Sequence, residues 1–383
     1  MFELDRSQKE IQKAARDFAK GEFDNNLTLE LEANRKFPKK IWEKAAELGF
    51  IGIQFSEDYS GGDLGILEAS LIAEAFCCVD STLGIALTLS GIGSELIARF
   101  ADDKLKEKIL PKICEGNMLS GIGFSETNHG LDLSSINTCA EFNGDTIVIN
   151  GKKTHVANRG TKGAYLLLCR TGQKEEVPSK AFSMVWVEGD KKGITLSDSG
   201  PKFSTNMMQS ADITFENVIV PASNLVGKQG KGQVLLEKFY NEIKILTAAQ
   251  SIGIAQGALD RSLSYIKQRE QFNRKLAVFQ ITKHKIAQMA EKVELARLIT
   301  YKAAYLFDKG KAGSCLISMA KMTAARAAVE VADEAIQLFG GYGYMKESEV
   351  ERFFRDAKMT ELSFGSPATQ KDIIADAIIR RIK

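Results

Sequence analysis

Several features are scarce in this 383-residue chain. It has 6 prolines and 3 histidines, and it contains no low-complexity tract. Lys and Arg total 51 against 49 for Asp and Glu, so no basic excess indicates nucleic acid and no acidic tail indicates disorder. No segment offers the roughly 18 unbroken apolar residues that a membrane span needs. Disordered, collagen-like and charged scaffold proteins are excluded, and neither nucleic-acid binding nor a membrane span is predicted.

Metal binding and secretion also lack support. The six cysteines form no C-x-x-C pair, and the adjacent Cys77 and Cys78 make a poor metal-binding pattern. His129, His155 and His284 are widely separated, so no metal site is predicted. Charges interrupt every apolar run in the first twenty residues, unlike a secretory signal. Free, mostly buried thiols and a cytoplasmic location are expected.

The hydrophobic pattern predicts the order α, then β, then α. The first third has apolar residues at helical spacing. The region from about 120 to 225 changes to alternating runs, with Asn143-Gly144 and Asn150-Gly151 as hairpin-type turn dipeptides. No proline occurs between Pro221 and Pro367, and the long amphipathic stretches there predict a helical bundle. No strand–GxGxxG–helix unit is present, so a Rossmann fold is not supported.

Three separate stretches combine residues that can bind a cofactor. Residues 123–132 form a small-residue loop, which by itself fits an ordinary domain junction equally well. Residues 269–275 form a cationic turn with Phe272 that can hold a phosphate and stack on a flat ring, although charge runs are usually solvated connections. Residues 337–344 place three glycines after a long helix, where a capping turn needs one.

Taken in this order, the stretches resemble the acyl-CoA dehydrogenase family of flavoproteins over essentially the whole chain. The resemblance implies an α+β protein: an N-terminal α-helical domain at 1–120, a middle β-barrel-like domain at 121–228 and a C-terminal four-helix bundle at 229–383. It implies FAD as cofactor and an acyl thioester, on CoA or on an acyl carrier protein, as substrate. It further implies an electron acceptor such as an electron-transfer flavoprotein, and a homotetramer with FAD at a subunit interface.

The same resemblance assigns individual residues to the cofactor. One group lies beside the flavin ring, a second reaches a neighbouring subunit's FAD, and a third contacts that FAD through a glycine stretch or a hydroxyl. In that order, these residues are Phe124, Ser125 and His155; then Arg269, Phe272 and Gln280; then Gln337, Gly340, Gly341 and Ser366.

The chain also departs from the family pattern. His129 and Leu131 stand where a small residue and a phosphate-holding serine are usual, and His155 replaces a tryptophan that normally lies against the flavin. Lys244 replaces an arginine on the first long helix of the bundle, and we assign it to substrate binding together with Phe364 and Gly365.

The largest departure is the catalytic base. Dehydrogenation of a thioester needs a group that removes the α-proton, and in this family it is a glutamate at one of two positions. Those positions are Phe364 and Ile243 here, and both side chains are apolar. Glu242 and His155 are the candidate replacements. For Glu242 a solvent-exposed surface glutamate is the more frequent situation, and for His155 a packing substitute is an equal alternative.

Three hypotheses follow from these losses. In the first hypothesis, the protein is a dehydrogenase of acyl thioesters with a relocated base. Alternatively, the same scaffold carries out different chemistry, such as elimination, reduction of an unsaturated thioester or flavin-dependent oxygenation. The third hypothesis is a catalytically silent FAD-binding subunit.

Overall fold

A computed structural model describes residues 3–127, 130, 132, 135–159, 163–172 and 177–380. Its N-terminal part is helical, and Asp5, Asp24, Asp80 and Asp102 cap the first turns of four helices by accepting backbone N–H hydrogen bonds. The helices are α1 (Arg6–Glu22), α2 (Asn25–Ala33), α3 (Lys39–Glu47), α4 (Ile66–Val79), α5 (Ser81–Thr88), α6 (Ser94–Phe100) and α7 (Asp103–Cys114).

The middle of the chain forms one mixed eight-stranded sheet. The strands are β1 (Leu119–Gly123), β2 (Cys139–Asn143), β3 (Thr146–Ala157), β4 (Gly163–Arg170), β5 (Phe182–Glu188), β6 (Ile194–Asp198), β7 (Ser210–Pro221) and β8 (Leu225–Val226), with the short helix α8 (Pro178–Ala181) before β5. Their order is β6-β7-β3-β2-β4-β5-β8, and β1 pairs in parallel with β4. Alternate side chains of β3, β4, β5 and β7 form a separate apolar core.

One turn prediction in this sheet is wrong. Asn143-Gly144 does connect β2 to β3, with Gly144 at a φ of 58°. Asn150-Gly151, however, lies inside β3, where the pairing with β7 shifts register between Ile149 and Gly151. This irregularity is a β-bulge. Thr138 packs closely against it, and a Cβ on residue 151 would lie only 2.6 Å from Thr138 Cα, so glycine is needed there. A dipeptide that tolerates positive φ serves a bulge as well as a turn.

The C-terminal part is a bundle of long helices, as predicted. Its elements are α9 (Gly232–Gln268), β9 (Glu270–Gln271), β10 (Arg274–Lys275), α10 (Gln280–Asp308), α11 (Ser314–Phe339), α12 (Val350–Leu362) and α13 (Pro367–Ile379). Helix α9 packs against α4 and α11 and is buried on nearly all sides. Gly253 permits this close approach, because a Cβ there would lie 2.4 Å from the carbonyl oxygen of Glu74 on α4.

The predicted order of helical domain, β domain and helical bundle is therefore confirmed. The exact limits at 1–120, 121–228 and 229–383 stay predictions. All six cysteines are free thiols and five of them are buried, as expected. Within the described ranges, no group of histidine, cysteine and acidic side chains is arranged to hold a metal ion. No helix in the same ranges is both long and apolar enough to cross a membrane.

Candidate active site

The loop between α12 and α13 carries Phe364, which the family resemblance matched to a usual base position. Its backbone is held firmly from α11, because the buried Lys321 Nζ donates hydrogen bonds of 2.8 Å to the carbonyl oxygens of both Glu361 and Gly365. Gln370 Nε2 donates a further hydrogen bond of 3.1 Å to the Gly365 carbonyl. The loop is thus fixed by residues that lie away from the Phe364 side chain.

An aromatic cluster joins this loop to α9 and to the end of β1. The Phe364 ring packs edge-on against Phe239, with ring centroids 5.9 Å apart. Phe239 contacts the adjacent Tyr240, whose ring lies 5.7 Å from that of Phe124. The cluster brings together two predicted site residues, Phe124 and Phe364, from distant parts of the chain. Sequence reasoning missed Phe239 and Tyr240, because an aromatic residue on a buried helix resembles ordinary core.

Lys244 follows Tyr240 by one helical turn, so both side chains project from the same face of α9. The Lys244 side chain is buried, and its Nζ lies 5.9 Å from the centre of the Tyr240 ring. Among the described residues it has no hydrogen-bond or ion-pair partner. Burial lowers the pKa of Lys244 to about 8. A buried amine of this kind is available to a ligand.

Glu242 is not the solvent-exposed residue that we expected. Only 3% of its surface is accessible, because α6 covers the side of α9 on which it lies. The Arg99 guanidinium lies 3.0 Å from its Oε1, an ion pair without hydrogen-bonding geometry. Burial raises the pKa of Glu242 to about 8, and Arg99 offsets this only in part. Glu242 and Lys244 are two positions apart, a rotation of about 200° around the helix axis, so their side chains face opposite sides of α9.

A second buried carboxyl accompanies Glu242. Burial raises the pKa of the nearby Glu95 to about 7. Both glutamates line a cavity of about 140 Å³ together with Gln54, Tyr59 and Arg99. This cavity lies between the N-terminal helices and α9. Whether Glu242 has a catalytic role stays a prediction.

His155 lies at a second bulge of β3, where the pairing with β7 shifts between Lys153 and Val156. Its φ is 54°, its side chain is exposed, and its backbone N–H donates to Asp212 Oδ1 at 3.2 Å. The preceding Thr154 donates its N–H to the Ser125 carbonyl oxygen at 2.9 Å. This bond places His155 next to the predicted flavin-contacting stretch, and its catalytic role also stays a prediction.

Glu126 is part of a buried polar cluster directly beneath residues 124 and 125. Its Oε1 accepts hydrogen bonds from the Lys153 Nζ at 2.9 Å and from the Thr138 hydroxyl at 2.6 Å, and its Oε2 accepts the Asn137 N–H at 2.9 Å. These contacts account for Glu126 as a structural residue. The departures noted at His129 and Leu131 lie outside the described residues.

The second and third sequence motifs meet at the other end of the bundle. A cavity of about 580 Å³ lies between the ends of α9 and α11. Its lining includes the predicted Arg269, Gln337, Gly340 and Gly341, and it also includes three aromatic residues that we missed, Tyr265, Phe339 and Tyr342. Sequence reasoning missed them because nothing in the pattern places Tyr265 beside Phe339, where the two rings stack at 4.1 Å.

The remaining predicted cofactor residues lie outside this cavity lining. Phe272 is at the tip of the β9–β10 hairpin, with 88% of its surface exposed, and Gln280 is exposed at the first position of α10. Ser366 caps α13, with its Oγ accepting the Thr369 N–H at 3.3 Å. Their contacts with FAD stay predictions.

The cavity at the ends of α9 and α11 has features that suit part of a dinucleotide. The Cβ positions of Gly340 and Gly341 have no described atom within 4 Å, so a ligand can approach the backbone there. Arg269 makes no ion pair within the described part of the chain, and its guanidinium lies over the Tyr342 ring at 5.7 Å. A free cation beside aromatic rings and open backbone fits a pyrophosphate next to a flat base.

Family models match nearly the whole chain. The N-terminal domain of acyl-CoA dehydrogenase matches residues 5–117, its middle domain matches 121–218 and its C-terminal domain matches 230–379. With the fold and the site geometry, these matches define a class of flavoenzyme, and the chain belongs to the acyl-CoA dehydrogenase family. The protein is an acyl-CoA dehydrogenase-like flavoenzyme with FAD as its cofactor.

Individual relatives are similar over their full length. The short-chain specific acyl-CoA dehydrogenase of Clostridium acetobutylicum is 33% identical, over 99% of this chain and 100% of its own. The acryloyl-CoA reductase (NADH) of Anaerotignum propionicum is also 33% identical, over 99% of this chain and 96% of its own. The solved structure of butyryl-CoA dehydrogenase from Megasphaera elsdenii is 32% identical, with a TM-score of 0.94 and coverage of 99% and 100%.

Proposed function

We propose that the protein interconverts an acyl thioester and its α,β-unsaturated counterpart by means of FAD, without a carboxylate at either usual base position. One observation carries the proposal. The α12–α13 loop and helix α9, which would carry the base by the family resemblance, are both formed in this structure, and the matching side chains are Phe364 and Ile243. FAD supplies the acceptor or donor of the β-hydride. The protein has to bind the thioester, exclude water and handle the α-proton.

The aromatic cluster supports a substrate that is not a simple straight chain. Phe364, held against Phe239, occupies space where the smaller glutamate would lie over the α- and β-carbons. A branched, cyclic or aryl-bearing acyl group approaches such a surface differently from a linear one. We propose a thioester of this shape, carried on CoA or on a carrier protein, and an electron-transfer flavoprotein as electron acceptor.

Reduction of an unsaturated thioester is the second candidate. The unpartnered Lys244 favours it, because a buried amine with a pKa of about 8 is mostly an ammonium at neutral pH and can donate a proton. A relative named for acryloyl-CoA reduction is consistent with this direction. We also propose a reducing compartment such as the cytoplasm, on the evidence of six free thiols.

A thioester panel tests the proposal. The purified protein is expected to release one FAD per subunit on denaturation. It is expected to oxidise at least one branched or aryl-bearing acyl-CoA with an artificial acceptor, or to reduce the matching enoyl-CoA with reduced dye. A protein that binds FAD but acts on no member of either panel would instead be the catalytically silent subunit.

We further propose a homotetramer in which the β9–β10 hairpin completes a neighbour's FAD site. Two observations support this proposal: Phe272 exposes 88% of its surface, and Arg269 makes no ion pair within the described ranges. The Arg269→Ala variant is expected to lose FAD while keeping its helical circular dichroism. The measurements are flavin content and light scattering.

The matched control for this variant is Lys267→Ala. Lys267 is an exposed cation at the end of α9, close to Arg269 in sequence. It is expected to keep its FAD. A natural protein that is a stable monomer with full FAD occupancy would contradict the proposed assembly.

A further inference from the structure

Aromatic contacts link Lys244 to the Phe364 loop: its Nζ lies 5.9 Å from the Tyr240 ring centre, Tyr240 contacts Phe239, and Phe239 packs against Phe364. Lys244 also lies close enough to Lys321 on α11 for the two positive charges to repel one another. Lys321 in turn binds the Gly365 carbonyl, next to Phe364. Lys244 therefore lies near residues that contact the Phe364 loop, whereas Glu242 is directed toward Arg99 on α6.

The amine has no structural task that accounts for its burial. The other buried lysines are engaged: Lys153 pairs with Glu126, and Lys321 donates to two carbonyl oxygens. Lys244 donates to no group in the described ranges. Its neighbour Tyr240 also has a buried hydroxyl without a hydrogen-bond partner there. A buried hydroxyl without a hydrogen-bond partner is costly unless a ligand completes it.

We propose, on the basis of the proposed function, that Lys244 is the acid–base residue of this site. Its neutral amine takes the α-proton of the bound thioester, so that an N–H bond forms as the C–H bond breaks. The electron pair of that bond stays on the substrate as the enolate of the thioester. The step needs no oxidant, and in the reverse direction the ammonium returns the proton to the α-carbon.

The electrostatic surroundings agree with this role. Burial lowers the pKa of Lys244 to about 8, near the value at which an amine serves as acid and base in neutral solution. The charged group that faces it from α11 is Lys321, with a pKa that burial also lowers to about 8. Tyr240 shares its helix, and the Glu361 carboxylate of α12 is paired with Lys358 instead. The amine becomes neutral as the pH rises through about 8.

Solvent exchange of the α-proton tests the proposal apart from FAD reduction. The probes are (methylthio)acetyl-CoA and (phenylthio)acetyl-CoA, whose β atom is sulfur and carries no hydride. The natural FAD-bound protein in D₂O is expected to replace their α-protons with deuterium, as followed by mass spectrometry. The rate above the enzyme-free background is expected to rise through pH 8 and then level off.

Two variants separate proton transfer from charge. Lys244→Met removes the amine, and Lys244→Arg keeps a positive charge that does not release its proton in this range. Both are expected to slow exchange by ~10²-fold or more, since general base catalysis contributes ~10²–10⁴-fold. The control Lys238→Arg, an exposed position on the same helix, is expected to exchange at the natural rate. FAD content and melting temperature report on folding.

Each contrary result has a distinct meaning. Exchange that persists in Lys244→Met, or that is lost in Glu242→Gln instead, overturns the assignment and leaves the proposed function standing. A pH-independent exchange rate in the natural protein also overturns it, even if neither Lys244 variant folds. A natural protein that neither exchanges these probes nor acts on any thioester of the redox panel overturns the proposed function as well.

Discussion

The Phe364→Glu variant is expected to oxidise straight-chain acyl-CoAs that the natural protein oxidises little or not at all. A carboxylate at this position would lie on the loop that Lys321 and Gln370 hold in place, so the new base would be positioned without rebuilding the backbone. The expected gain is ~10²–10⁴-fold, the usual contribution of a general base. The measurement is dye reduction with butyryl-, hexanoyl- and octanoyl-CoA.

The matched control for this gain is Phe364→Gln. Glutamine has nearly the size of glutamate but cannot accept the proton as a carboxylate does, so it opens the same space without adding a base. Equal activity of the two variants would show that the volume of the Phe364 ring, not the absent carboxylate, limits straight chains. Strong straight-chain activity of the natural protein would contradict the prediction altogether.

The Glu126→Gln variant is expected to lose about 3–5 kcal/mol of unfolding free energy, the usual effect of removing one partner of a buried ion pair. Lys153 is fully buried and Glu126 exposes only 9% of its side chain, so the substitution leaves an ammonium without its counter-charge. The change is measured by urea titration. Because the pair lies beneath residues 124 and 125, FAD affinity is expected to fall as well.

The pH dependence of this effect has a definite sign. Burial opposes the charge on Glu126, but the Lys153 ammonium and hydrogen bonds from Thr138 and Asn137 hold its pKa below the ordinary value. Its contribution is therefore complete above the ordinary glutamate pKa of about 4.3 and is lost as the pH falls through the lower, folded-state pKa. The difference between natural and variant protein is expected to shrink in that acidic range.

Two comparisons guard this prediction. The double variant Glu126→Gln/Lys153→Met removes both charges and is expected to recover most of the loss. Glu10→Gln breaks the exposed pair with Arg6 and is expected to change stability little. If Glu126→Gln were as stable as the natural protein, the Glu126–Lys153 pair would not stabilise the fold beneath residues 124 and 125, and the prediction would be wrong.

Much of the fold follows from local patterns. The proline-free stretch after Pro221 contains the long helices α9, α10 and α11, as predicted, because long helices tolerate few interruptions. Asn150-Gly151 was misplaced, since whether such a dipeptide forms a turn or a bulge depends on the partner strand β7. Local sequence determines which conformations are allowed, and the paired strand determines which of them is used.

The site is predicted less completely for a similar reason. The conformation of Gly340 and Gly341 can be read locally, but the burial of Glu242 depends on α6, which is more than a hundred residues away in sequence. A helix covered on nearly all sides, as α9 is, offers little polar face by which the exposure of one residue can be judged. Likewise, nothing in the sequence pairs Lys153 with Glu126 or leaves Lys244 unpaired. These relations arise only when distant elements pack together.

The hydrogen bonds from Lys321 to the Glu361 and Gly365 carbonyl oxygens hold the backbone of the loop. The shape of the loop is therefore maintained separately from the side chain that it contributes to the site. The course of the backbone is set by α11 and by Gln370, whereas the side chain that the loop contributes to the site is that of residue 364. Such modularity lets the chemistry of the loop change by single substitutions while its shape is inherited. A chain with a carboxylate at position 364 and one with a phenyl ring then need differ little elsewhere, so the side chain can change without a loss of foldability.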